Sequence, residues 1–331
     1  MTGEWQIVFW DVGQGDATDI QLPDKSHILI DAGPSLKQGN PLPAWFLRMD
    51  SPLIRLAILT HSHEDHFGGL TELCRESAQR IDRIAVMNDY ALRTMPRPGA
   101  LNALLQSLAR RKAETGTKIE LREKQGVLYG DSDFQLRLVY PKSLPPAGSL
   151  PKDVNQSSMV IVLESLKNSA TNPLVVWGGD NTLMNIGTAL PGAKPFVLMG
   201  PHHGHPQGTK KPKTPDYKDF FSSEVTPQCV YISVGRCNGY RLPDSNYIKG
   251  AALAGVRVCC SQLAVNCDED RTHDVFEGSA MIGVDKPARS VQCRGAMRVY
   301  ANATSGMRFD KNHAEFVATV RACYPNAACN R

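Results

Sequence analysis

Short apolar runs closed by turn residues set the rhythm of this chain, and they predict strands more often than helices. Gln6-Ile7-Val8-Phe9-Trp10 is the first run, ending in the turn chemistry of Asp11-Val12-Gly13-Gln14-Gly15-Asp16. Ala17 to Leu22 and His27 to Ile30 flank Pro23-Asp24-Lys25, which predicts a hairpin. Further strands are predicted at Leu53 to Thr60, Ile84 to Met87, Phe134 to Tyr140, Met159 to Leu163 and Leu174 to Trp177. Phe196 to Met199, Val230 to Val234 and Val256 to Cys260 are read the same way. Helical period is clearest from Gly99 to Thr115, where Leu101, Leu104, Leu105 and Leu108 share a face and Arg110-Arg111-Lys112 gather near the C-terminal end. Shorter helices are predicted over Trp45 to Met49, Leu70 to Ser77 (after a Gly68-Gly69 turn) and Asn312 to Cys323.

Pro141 to Lys152 and the Pro-, Lys- and Thr-rich stretch 206–216 are predicted loops. Strand clusters recur in both halves with helices between them. The expected fold class is α/β: an αββα sandwich of two packed sheets with helices outside. No repeat of fixed period interrupts this reading. Residues 1–265 are expected to form the main domain, and 266–331 a Cys-containing extension packed on it.

Composition narrows the class. The chain of 331 residues is 42% hydrophobic and 21% charged, ordinary values for a globular protein. A net charge of +4 permits a nucleic-acid partner without requiring one. No apolar run approaches the ~20 residues that span a bilayer, so no membrane partner is expected. Met1-Thr2-Gly3-Glu4-Trp5 has neither the basic nor the apolar region of a secretory leader, which predicts a cytoplasmic chain. Of nine cysteines, eight fall between Cys229 and Cys329, with no C-x-x-C among them. They read as reduced, partly buried thiols; a small zinc site drawn from Cys259, Cys260, Cys267, His273 and Cys293 is the alternative, although its spacing fits no standard finger.

The chemistry concentrates in His61-Ser62-His63-Glu64-Asp65-His66, directly after an apolar strand. Imidazole nitrogens and a carboxylate at this spacing can converge on one small volume, the ligand chemistry of borderline metals such as zinc. So short a segment does not complete two metal sites. Asp180 follows Val175-Val176-Trp177-Gly178-Gly179, and His202-His203 follow Phe196-Val197-Leu198-Met199-Gly200-Pro201, each at a strand end where a sandwich gathers its loops. A carboxylate such as Asp180 can bridge two cations.

His61-x-His63-x-Asp65-His66-x-Gly68-Gly69 resembles the metal-binding signature of the metallo-β-lactamase superfamily. Asp11-Val12-Gly13-Gln14-Gly15-Asp16-Ala17 and Leu29-Ile30-Asp31-Ala32-Gly33 are similar to the C-terminal hydrolase domain of ComEC, the bacterial DNA-uptake channel protein, and its stand-alone relatives. Asn155-Gln156-Ser157-Ser158-Met159-Val160, Gly178-Gly179-Asp180 and His202-His203-Gly204 extend the resemblance.

The resemblance implies one metal on His61 and His63, a second on Asp65, His66 and His203, and Asp180 bridging them. It implies Asp31 supporting the histidine segment, Asp11 and Asp16 on the same rim, and Asn155 and Ser158 lining the pocket. The expected cofactor is zinc, as one or two ions, with manganese as the alternative. No histidine lies between His66 and Asp180, so the His61/His63 site lacks a ligand that many members of the superfamily supply there. The expected activity is a metal-dependent phosphodiesterase or nuclease on DNA, with Asp65 orienting the water, His202 contacting phosphate or leaving group, and Lys210 and Lys211 binding substrate phosphate. Hydrolysis of a small phosphodiester or lactone, and a metal-bound module without turnover, are the competing expectations.

Overall fold

The computed structural model describes residues 3–167, 173–205, 213–236, 238–327 and 329. Fifteen strands form two sheets among the described residues. Trp5–Phe9 (β1), Ala17–Gln21 (β2), His27–Ala32 (β3), Ile54–Leu59 (β4), Arg83–Met87 (β5) and Lys118–Arg122 (β6) supply most of the first. Lys124–Gly130 (β7), Phe134–Ser143 (β8), Val160–Ser165 (β9), Val175–Trp177 (β10), Val197–Met199 (β11), Cys229–Ile232 (β12) and Arg257–Cys260 (β13) make the second. Met297–Asn302 (β14) and Gly306–Phe309 (β15) return to the first sheet, whose order is β15-β14-β1-β2-β3-β4-β5-β6; the second runs β13-β12-β11-β10-β9-β8-β7. Residues beyond 265 are therefore woven into the sheet that β1 begins.

The apolar runs are long because most strands are covered on both faces. In β1, Trp5, Ile7 and Phe9 point into the core between the sheets, while Val8 points to the outer helical layer. In β4, Leu56 and Ile58 point inward, and Ala57 and Leu59 outward. In β9, Ile161 and Leu163 meet the shared core, and Val160 and Val162 the helices of the opposite side. The outcome is the expected αββα sandwich. Among the described residues no helix is long and apolar enough to cross a membrane.

Two expectations shift. The helix placed at Leu70 to Ser77 spans Glu64–Arg75, so Gly68 and Gly69 lie inside it and do not close a loop. Close packing explains the glycines: a Cβ on Gly68 would stand 2.3 Å from the Ser35 nitrogen, and one on Gly69 2.0 Å from the Ala32 carbonyl oxygen. The predicted loop 206–216 ends in a helix, Thr214–Asp219, started by Pro215 in its first turn and by the Lys213 N–H donating to Asp216 at 2.6 Å.

Strands β3 to β6 run parallel in the first sheet and β10 to β13 in the second. Loops leaving the C-terminal ends of β3, β4, β10, β11 and β12 meet along one rim, the general location of ligand sites in such sheets.

Candidate metal centre

The chain leaves β4 at Leu59, crosses the rim through Thr60, His61 and Ser62, and enters the helix Glu64–Arg75 with His63 at its cap. Asp65 and His66 therefore lie in the first helical turn. Asp31, at the end of β3, holds this passage together. Its carboxylate accepts from the Thr60 N–H at 2.8 Å, the Thr60 hydroxyl at 2.7 Å and His66 Nδ1 at 2.8 Å. It does so from a left-handed φ of +52°, a conformation Asp tolerates better than most residues. Asp89, fully buried after β5, accepts from the Ser62 N–H at 2.9 Å and its hydroxyl at 2.7 Å. The residue between His61 and His63 is thereby clamped.

The second sheet delivers Asp180, His202 and His203 through turns of positive φ. Gly179 has φ +49°, and a Cβ there would lie 2.2 Å from Ser158 Oγ. The Asp180 N–H then donates to that hydroxyl at 3.2 Å. After β11, His202 and His203 both take positive φ, 50° and 53°. The His203 Nδ1 donates to the Ser233 carbonyl at 3.0 Å, fixing the tautomer, and the His202 N–H donates to the Gly179 carbonyl at 3.0 Å.

These turns bring the charged atoms together. Asp180 Oδ1 lies 3.1 Å from His66 Nε2 and 3.6 Å from His203 Nε2; Asp180 Oδ2 lies 3.5 Å from His61 Nε2 and 3.7 Å from His202 Nε2. His203 Nε2 is 3.2 Å from Asp65 Oδ2. His63, with its side chain 44% exposed, sits at the edge with Nδ1 3.9 Å from Asp180. Burial would raise the Asp180 pKa, but His66, His203 and His61 hold it well below the usual carboxylate range. Burial would lower His66, yet Asp180 and Asp31 draw it up; His203 is drawn up against the same penalty by Asp16 and Asp180. Burial pushes His202 down to about 4.

The residues fit a bound metal. His66 and His203 commit Nδ1 to Asp31 and to a carbonyl, and His61 Nδ1 stands 3.2 and 3.3 Å from the hydroxyls of Thr60 and Ser158. Each Nε2 is left aimed at carboxylate oxygens. His61 Nε2, His66 Nε2 and Asp180 Oδ1 are buried without a hydrogen-bond partner. In neutral imidazoles, lone pairs would then face lone pairs, an arrangement that a proton or a cation must relieve. Donor atoms of His61, His66 and Asp180 lie within 4.8 Å of one another, and so do those of Asp65, His66 and His203. Imidazole with carboxylate suits zinc or a similar borderline ion.

Of the residues expected from sequence, His61, Asp65, His66, Asp180, His202 and His203 meet, with His63 beside them. Asp31 and Ser158 support them, and Asp16 Oδ1 lies 3.2 Å from His203 Nδ1. The Asn155 Oδ1 is buried without a hydrogen-bond partner. Asp11 is not brought to the cluster. Its carboxylate accepts from Gln262 at 2.8 Å and Gln292 at 3.1 Å, tying the rim loop to the C-terminal segment. Lys210 and Lys211 lie outside the described residues. Thr60, Asp89 and Ser233 were not read from sequence. Asp89 follows an apolar strand much as Asp180 does, which is a usable signal; Ser233 contributes a carbonyl, which no residue type announces.

The family model of the metallo-β-lactamase superfamily matches residues 10–230. The chain belongs to that superfamily of metallohydrolases. Similar solved structures include Igni18, a metallo hydrolase from the hyperthermophilic archaeon Ignicoccus hospitalis, at 17% identity and TM-score 0.44, covering 76% of this chain and 94% of that one. A diphosphatase of the PhnP family is 12% identical over 72% of this chain and 88% of its own, with TM-score 0.37. A metallo-β-lactamase from Hirschia baltica is 17% identical over 54% and 68%, with TM-score 0.28. Comparison with curated proteins returns no match.

Proposed function

We propose that this metallohydrolase is a phosphodiesterase that cuts DNA. His61 and His63 with Asp180 would hold one ion, and Asp65, His66 and His203 with Asp180 the other, zinc in the first instance and manganese as the alternative. The observation that carries the reading is the set of inward Nε2 atoms whose Nδ1 partners are already fixed, facing the oxygens of Asp180 and Asp65. When bound, an ion at this cluster supplies water activation near neutral pH and charge neutralisation at phosphorus.

The remaining work falls to side chains. Asp65 orients the attacking water through its carboxylate. His202 Nε2 contacts a phosphoryl oxygen, a role open to an imidazole that burial keeps neutral. Asp31 holds His66, and Asp89 holds the Ser62 linkage, so the histidines need not reorganise as charge develops.

DNA as substrate is supported by the likeness of the Asp11–Ala17 and Leu29–Gly33 segments to the ComEC hydrolase domain. It is supported also by Lys210-Lys211-Pro212-Lys213, which follows the His202-His203 pair in the chain and offers phosphate-binding charge. The test pairs metal content with cleavage of labelled single- and double-stranded DNA. Metal-dependent cutting that disappears in Asp65→Ala with His66→Ala is the expected result. A metal-loaded chain that leaves DNA intact and hydrolyses a small phosphodiester or lactone overturns the DNA assignment.

A further inference from the structure

Three backbone anchors fix the turn that follows β11. The His202 N–H donates to the Gly179 carbonyl at 3.0 Å, His203 Nδ1 donates to the Ser233 carbonyl at 3.0 Å, and the Gly204 carbonyl accepts from the Asp244 N–H at 2.9 Å. His202, His203 and Gly204 take φ of 50°, 53° and 73° in succession. A Cβ on Gly204 would stand 2.6 Å from Pro243 Cβ, so the turn packs tightly against the segment that carries Asp244. Three left-handed residues in a row bring the chain back over itself, and the His205 N–H donates to the His202 carbonyl at 2.8 Å.

The turn treats its two histidines differently. His203 is buried, with Nδ1 on the Ser233 carbonyl and Nε2 3.2 Å from Asp65 Oδ2. The His202 side chain is 27% exposed, and its Nε2 stands 3.7 Å from Asp180 Oδ2, too far for a hydrogen bond. What lies flat against the His202 ring is the imidazole of His205, with centroids 4.6 Å apart and planes 21° apart. The His203 ring is 6.4 Å away and nearly edge-on, at 70°. We propose that His205 is a positioning residue for substrate phosphate: its ring stacks on His202 and holds Nε2 of that imidazole toward the phosphoryl oxygen. The proposal rests on the phosphate contact assigned to His202 above.

The physical case is one of side-chain freedom. A half-buried imidazole without a hydrogen bond to fix it can rotate about χ1 and χ2, and every orientation that turns Nε2 away weakens the phosphate contact. A near-parallel ring at this separation removes that freedom, in the stacked arrangement that aromatic pairs favour. The backbone bond from His205 to the His202 carbonyl and the anchors on either side of it set where the second ring sits. The contact uses the face of His205, so any flat aromatic ring can supply it and an aliphatic side chain cannot.

Inorganic phosphate titrated into the zinc-loaded full chain by calorimetry tests this without turnover. His205→Ala should weaken phosphate binding by about three- to tenfold, the range of one aromatic pair, with zinc content and thermal unfolding unchanged. His205→Phe should restore the affinity. In a His202→Ala background, His205→Ala should have no further effect. An unchanged affinity in His205→Ala, a loss that Phe does not repair, or an equal loss when His202 is already absent overturns the role. DNA cleavage by the wild type is judged separately. A chain that binds phosphate with this dependence on His205 yet leaves DNA intact refutes DNA as substrate and retains the stack.

Discussion

At the rim of the sandwich, His66 and His203 have committed their Nδ1 atoms to Asp31 and to the Ser233 carbonyl, whereas Cys260, Cys267, Cys293 and Cys329, around one small and mainly apolar cavity, bring no three of their sulfurs within 4.8 Å of one another. The difference follows from chain geometry. His61, His63, Asp65 and His66 occupy a single strand-to-helix passage, so a few hydrogen bonds accepted by Asp31 and Asp89 orient most of the cluster. The cysteines arrive on separate segments spread over the last third of the chain, and each is positioned by its own loop. A preorganised cluster can bind an ion and act without reorganising; dispersed thiols among apolar side chains serve as packing groups.

Removing the ligands is the harshest way to break that contrast. Asp65→Ala with His66→Ala should strip metal from the rim and reduce hydrolysis by roughly a thousandfold or more, since an ion contributes several kcal/mol at the transition state. Elemental analysis beside a cleavage assay reads both, and substantial activity in the metal-depleted variant would place the chemistry elsewhere. Preorganisation itself is weighed by Asp31→Asn. The substitution keeps shape and tolerates the left-handed backbone, but turns an acceptor facing His66 Nδ1 and the Thr60 hydroxyl into an amide. Chelator competition should show metal affinity down by about 10- to 100-fold with the fold intact. Unchanged affinity would mean that the histidines orient themselves.

Much of this was legible in the sequence, for reasons that particular elements make clear. Strands covered on both faces leave unbroken apolar runs, so β1, β4, β9 and β10 announce themselves. The helix Gly99–Thr115 follows from leucines at helical spacing. Strand β14 did not stand out, because Arg298 and Tyr300 interleave with Met297, Val299 and Ala301 on a face only half covered. Gly68-Gly69 misled in the opposite direction. Glycine ordinarily marks a turn, and only the approach of Ala32 and the Pro34–Ser35 segment explains a pair of glycines inside a helix. At the site, clustered histidines are readable because ligand chemistry is written in side-chain types. The contributions of Ser233, through its carbonyl, and of Asp89, through Ser62, depend on which loops meet in space.

The glycine packing gives a smaller and cleaner expectation. Gly69→Ala places a methyl 2.0 Å from the Ala32 carbonyl oxygen, at the seam between the helix that carries Asp65 and His66 and β3. Such overpacking should cost about 1–3 kcal/mol in denaturant unfolding. Gly99→Ala, whose new Cβ meets nothing within 4 Å, should change stability by less than about 0.5 kcal/mol. Equal costs at the two positions would mean that the helix is not pressed against β3 as described.

The mildest expected effect lies in the lysines that follow His202-His203 in the chain, and it separates charge that binds substrate from charge that merely faces water. The net charge of +4 is too small to bind DNA by itself, so Lys210 and Lys211 matter only where they meet backbone phosphates. Each phosphate contact contributes about 0.9 to the slope of log affinity against log salt on duplex DNA and about 0.7 on single strands. Lys210→Ala with Lys211→Ala should therefore flatten that slope by roughly one unit per lysine, weaken binding evenly across sequences, and leave the rate at saturating DNA and the metal content unchanged. A full set of binding curves over a range of salt concentrations decides it. An unaltered slope would identify the pair as a solvated surface run and leave substrate recognition to groups on the rim itself.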